Sequence, residues 1–153
     1  MRLKLKSCIK LLKDDRGVDD GLVTLVGWNI RAGGGARGPH IANQLLSWGA
    51  DVVALSEFRG TNASTMLAAA LASNGLSFQL TTADPLLPAR NALLLASRWP
   101  LYRFRTRDVP RPSHRCLPAL LSAPTPFMLV AVHGPLGTTG LRRPFNQSLL
   151  AMV

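Results

Sequence analysis

Between Leu22 and Gly75 the hydrophobic period switches repeatedly between two and about 3.6, and this succession limits the fold more than any single residue does. "LVTLVGWNI" alternates and is partly β-branched, which reads as a strand, and "RAGGGARG" after it is a glycine-rich loop carrying two arginines. "PHIANQLLSWG" sets Ile41, Leu45 and Trp48 at helical spacing, with Pro39 suited to a first turn and Gly49 to a C-terminal stop. "DVVALSEF" is a second strand, and "TNASTMLAAALASNG" is a helix that Asn62 or Ser64 can cap and Gly75 ends. Strand-like runs follow: "FQLTTAD", "NALLLAS", "LYRFRTRDV", "RCLPALLSA" and "FMLVAVHG", before "PFNQSLLAMV" starts a helix at the chain end. The order β-α-β-α and then consecutive strands predicts a layered α/β domain with a mixed sheet.

At 153 residues the chain suits one domain, read as residues 21–153 after a leader of residues 1–20. With 47% apolar and 17% charged residues it is globular in composition, and no apolar run approaches the roughly 20 residues a membrane-spanning helix needs. In the leader "MRLKLKSCIKLLKDDRG", lysines interrupt the apolar residues, so it lacks the core of a secretory signal. It reads either as a flexible, solvated terminus or as a short amphipathic helix for anionic lipid. Cys8 and Cys116 have no metal-type spacing, and together these features suggest a cytoplasmic protein.

The formal charge of +10 favours phosphate-rich partners, nucleic acid before anionic membrane, although a generally arginine-rich composition is the plainer reading. In "LYRFRTRDV", alternation predicts Tyr102, Phe104 and Thr106 on an inward face and Arg103, Arg105 and Arg107 as an outward basic comb.

Chemistry is expected at strand ends, where side chains can leave the core and meet a ligand. Asn29, Glu57 and His133 all close predicted strands. Counting by twos puts Glu57 on the face of Val53 and Leu55, and His133 on that of Leu129 and Ala131. Neighbouring strands would bring the three to one rim. A carboxylate there needs an arginine, a metal ion or water, and Arg59, two residues on, could simply pair with Glu57 at the surface.

"VGWNIRAGG", "ADVVALSEFRG", "NALLLASRWPL" and "LVAVHGPLG" resemble, in order, motifs of the endonuclease/exonuclease/phosphatase superfamily, whose members include deoxyribonuclease I, sphingomyelinases and inositol-polyphosphate 5-phosphatases. The resemblance implies the N-terminal portion of a four-layer α/β sandwich of mixed, mostly antiparallel sheets with flanking helices. It implies a metal-dependent phosphodiester hydrolase that uses magnesium or manganese. Glu57 matches the glutamate that binds the cation, and Asn29 the asparagine that helps hold metal and scissile phosphate. Arg59 and Asn91 match substrate-binding positions, although Ala92 departs from the usual glycine. His133 looks like the catalytic histidine of the deoxyribonuclease I type. Nucleic acid is the leading substrate, with phospholipid and phosphoinositide as alternatives.

The family also uses an aspartate-x-asparagine motif and a late aspartate-histidine pair, and no acid occurs after Asp108 nor any histidine after His133. The expectation is therefore a truncated domain, weakly active or inactive alone, since a lost general base costs about 10²–10⁴ in rate. Half a sandwich would also leave a sheet face uncovered and open to association. The alternatives are a non-catalytic basic module that binds nucleic acid or an anionic surface, and a gene fragment without a function of its own.

Overall fold

A computed structural model describes residues 23–104, 109–135 and 140–150, so the leader and the comb residues Arg105 and Arg107 lie outside the described residues. Strands β1 (Leu25–Asn29), β2 (Val52–Phe58), β3 (Phe78–Thr81) and β4 (Ala92–Ser97) form one sheet in the order β1-β2-β4-β3. β1 and β2 run parallel, while β4 is antiparallel to both β2 and β3. Helix α1 (Gly38–Ser47) makes the parallel crossover, and α2 (Asn62–Ser73) follows β2. β5 (Leu101–Arg103), β6 (Cys116–Leu121) and β7 (Phe127–Val132) form a second, antiparallel sheet, and α3 (Arg142–Leu150) comes last.

The layers follow from apolar patterning. All six residues of β4 are buried, as a continuous apolar run requires when both faces of its sheet are covered. Leu94 and Ala96 join Val53 and Leu55 under Ile41 and Leu45 of α1 and Leu67 and Leu71 of α2. Leu93 and Leu95 face the other way, onto Leu117, Ala119 and Ala131 of the second sheet. A third cluster of Val23, Val52, Leu121 and Ala123 closes the far end of the sandwich.

Helix ends are where sequence rules predict, with one shift. Pro39 lies in the first turn of α1, and Gly49 and Gly75 take positive φ values of 62° and 93° past the two helices. The cap of α2, however, is Thr61, whose hydroxyl accepts the Ser64 N–H at 3.4 Å, rather than Asn62 or Ser64. Ser64 is fully buried instead, donating to the Gly33 carbonyl at 3.0 Å.

Two expectations about faces are corrected. In β5, Leu101 packs into the inter-sheet core and the Arg103 guanidinium donates to the Thr81 carbonyl at 2.7 Å, which fixes the phase of the strand. Tyr102 consequently faces outward, 57% exposed, and Phe104, just past the strand, is 46% exposed, so the two aromatics do not form an inward face. Glu57 also leaves the face of Val53 and Leu55, because a β-bulge between Ser56 and Phe58 gives that place to Phe58.

The first sheet is covered on both faces, by helices and by the second sheet. The exposed sheet face belongs to the second sheet, where Tyr102, Leu120 and Met128 stand in register across three strands. Among the described residues no helix is long and apolar enough to cross a membrane.

Candidate active site

The bulge that removes Glu57 from the helix-side core also aims it at the sandwich rim. Glu57 has φ 58°, and Arg31 and Ala32 in the loop after β1 have φ 54° and 51°. Each non-glycine residue in this left-handed region costs about 1–2 kcal/mol, so three together mark a segment held in place by its contacts. Those contacts converge on one carboxylate. Asn29 Nδ2 donates to Glu57 Oε1 at 2.8 Å, and the Ala32 N–H donates to Oε2 at 3.0 Å. The Gly33 N–H donates to the Glu57 carbonyl at 2.7 Å. Gly33 must be glycine: at φ 78° an added Cβ would lie 2.8 Å from the Ser64 hydroxyl. Arg37 fastens the loop by donating to the carbonyls of Ile30 and Arg31 at 2.8 and 3.0 Å.

Asn29, Glu57 and His133 do meet, although β2 and β7 belong to different sheets. His133 Nε2 stands 3.8 Å from Glu57 Oε1 across the mouth of the sandwich. The Asn29 amide oxygen accepts the Arg31 N–H at 2.9 Å while its amino group holds Glu57, so Asn29 orients the carboxylate. His133 is held by its backbone: its N–H donates to the Arg115 carbonyl at 2.9 Å, and Arg115 Nη1 returns to the carbonyls of His133 and Gly134.

Electrostatics separate the two titratable groups. Burial pushes the Glu57 carboxyl up, but the Asn29 and Ala32 hydrogen bonds and the charges of His133 and Arg59 outweigh it and hold its pKa below the ordinary 4.5. Burial and the Arg115 charge lower His133 from its usual 6.5, against the opposing pull of Glu57, so the imidazole is neutral at pH 7. His133 Nδ1 is buried without a hydrogen-bond partner among the described residues. An orphaned N–H is rarer than an unfilled acceptor, which places the proton on Nε2, facing Glu57.

Arg59 and Asn91 form a second pair, Arg59 Nε donating to Asn91 Oδ1 at 2.7 Å. No Arg59–Glu57 ion pair forms among the described residues, so the simple surface bridge is not what Glu57 makes. Arg103 lies apart, on the Thr81 side of the second sheet. Sequence reasoning missed the Ala32 N–H and the Arg115 clamp. The glycine-rich loop signalled close backbone approach but not its target, and Arg115 was one of seven arginines in its stretch.

Among the described residues no three His, Cys, Asp or Glu side chains cluster as a closed metal cage. The donor set does fit a hard, water-rich cation. Glu57 keeps lone pairs beyond its two hydrogen bonds, is 23% exposed, and makes no ion pair with an arginine among the described residues. Magnesium is commonly held by only one or two carboxylates, with water and substrate phosphate completing the shell.

The fold of the chain is that of solved phosphoesterase-type structures. An endonuclease/exonuclease/phosphatase from Beutenbergia cavernae superimposes with a TM-score of 0.57 at 19% identity, covering 84% of this chain and 42% of that one. The 3′ phosphatase NExo from Neisseria, bound to a product DNA hairpin, gives 0.56 at 18% identity, covering 84% and 49%. The chain thus spans less than half the length of each. No curated protein matches it. Residues 26–150 match the model of the Endonuclease/Exonuclease/phosphatase family, and the chain belongs to that family.

Proposed function

We propose that the rim formed by Glu57, Asn29 and His133 binds a divalent cation, magnesium or manganese, and hydrolyses a phosphate ester of nucleic acid. The observation that carries this reading is the Glu57 carboxylate, kept ionised by the Asn29 and Ala32 donors and by the Arg59 charge, and making no ion pair with an arginine or lysine among the described residues. The cation, when bound, would polarise the phosphoryl oxygen and steady the leaving group. Glu57 holds it, with Asn29 and the Ala32 N–H fixing the carboxylate. His133 offers Nε2–H to a phosphate oxygen as a neutral donor at pH 7. Arg59, set by Asn91, supplies a guanidinium for a phosphate. Membership of the family and the DNA bound to the Neisseria relative support a nucleic-acid ester.

The test is hydrolysis of a 3′-phosphorylated oligonucleotide by the full chain with magnesium. EDTA should abolish phosphate release, and Glu57→Gln should lower it more than about 100-fold, beyond the usual cost of losing an outer partner of a metal site. Release that is indifferent to EDTA would refute the reading. A second reading, a binding module without turnover, draws on the rim having one carboxylate among the described residues. It predicts salt-dependent oligonucleotide binding, indifferent to Glu57→Gln, with no hydrolysis under any metal.

A further inference from the structure

Beside the rim, a cavity of about 580 Å³ opens between the end of β3 and the turn that leads into β6. Its walls include Arg90, Arg103, Phe104 and His114. Thr82 ties the two sides together, its hydroxyl donating to the His114 carbonyl at 2.7 Å. The volume lies in the range of pockets that enclose an organic ligand.

The charge of this cavity is poorly answered from within. Arg103 spends its guanidinium contact on a neutral carbonyl, that of Thr81. Arg90 meets Asp84 through Nη2 at 3.2 Å, while its Nε is buried without a partner among the described residues. His114 is lowered from its usual 6.5 first by burial and then by the charges of Arg90 and Arg115, so positive charge from both arginines reaches this wall of the cavity. Phe104, in the same wall, presents an aromatic ring that is 46% exposed. An aromatic face beside guanidinium groups with donors to spare is how proteins hold an unpaired nucleotide, the ring stacking on the base and the cations on its phosphate.

We propose that this cavity is a strand subsite, in which a single-stranded nucleic acid stacks one base on Phe104 and sets the adjoining phosphate on Arg90 and Arg103. The inference rests on the rim being the reacting site and narrows its substrate to single strands or frayed ends, because a base inside a duplex has no free face to stack.

The test is fluorescence anisotropy of a labelled ten-residue oligothymidylate with the full chain in EDTA, where no hydrolysis competes. Phe104→Ala should weaken binding about 5–100-fold, the range for one stacked base, without changing the salt dependence. Arg90→Gln should weaken it and reduce the slope of log affinity against log salt by about 0.7, the value for one single-strand phosphate. Equal affinity of wild type and both variants would overturn the subsite, as would equal competition by a blunt duplex or full displacement by millimolar inorganic phosphate. Photocrosslinking of a bromodeoxyuridine strand to the wild-type chain gives a readout that needs no variant. Attachment within the peptide carrying Phe104 supports the proposal, and attachment confined elsewhere overturns it. Failed hydrolysis by the wild-type chain with magnesium, alongside intact Phe104-dependent binding in EDTA, would sink the rim reading alone.

Discussion

β2 carries an acid at each end of its run, and the sandwich treats the two in opposite ways. Asp51, just before the strand, is closed off: Oδ1 meets Arg98 Nε at 3.0 Å and Oδ2 accepts the Thr24 N–H at 2.9 Å. Glu57, at the other end, is hydrogen-bonded among the described residues by neutral donors and faces an imidazole that is neutral at pH 7. The first carboxylate has spent its charge on the fold. The second keeps its charge, and a strained loop fixes the carboxylate at the rim. Paired acids close a structure, whereas an acid steadied by neutral donors is available to a ligand.

The sharpest way to break this contrast is to neutralise each acid in turn. Glu57→Gln should cost more than about 100-fold in magnesium-dependent phosphate release, while Asp51→Asn should leave it unchanged. Comparable losses from both would erase the distinction. Next in size is Asn29→Ala, which removes the amide that orients Glu57. It should lower the same rate by about 10–100-fold, as losses of outer partners in metal sites do. Full activity would mean that the carboxylate needs no such guide.

Smaller effects concern stability. Ala32→Gly relieves a left-handed residue and should raise unfolding free energy by about 1 kcal/mol in urea titrations. Its activity should fall, since the loop that presents the Ala32 N–H gains freedom. Asp51→Asn should lower stability by about 0.5–1 kcal/mol, as expected for a partly exposed ion pair with one backbone hydrogen bond.

The mildest effect is a pH dependence. His114 and His133 both titrate below their usual 6.5 when folded, so in that window the unfolded chain binds more protons. Stability should therefore fall as pH drops from about 7, and Glu57, lowered from 4.5, extends the fall in the same direction at more acid pH. His114→Gln should flatten the upper part of the profile in thermal melts recorded in EDTA. A profile of unchanged slope would contradict the lowered histidine.

Much of this fold was legible because it rests on periodicity. The run Ala92–Ser97 was legible as a short apolar strand, and Pro39, Gly49 and Gly75 bracketed their helices correctly. The meeting of Asn29, Glu57 and His133 was legible as three polar strand ends. What stayed hidden depends on single backbone angles or distant partners. Counting by twos fails at Glu57 because nothing in "LSEF" announces a bulge, and a positive φ there is stabilised by residues some 25 positions away. In the three-residue strand β5, alternation alone did not assign the inner face. Leu101 and the Thr81 carbonyl set that choice, and they turned Tyr102 outward.

The central claim, that the Glu57 carboxylate exists to hold a divalent ion, is tested most directly by titrating manganese into the full chain and following the free ion by electron paramagnetic resonance. Saturable uptake of one ion by the wild type, lost in Glu57→Gln and retained in Asp51→Asn, is the predicted result. The same uptake by wild type and Glu57→Gln would contradict it.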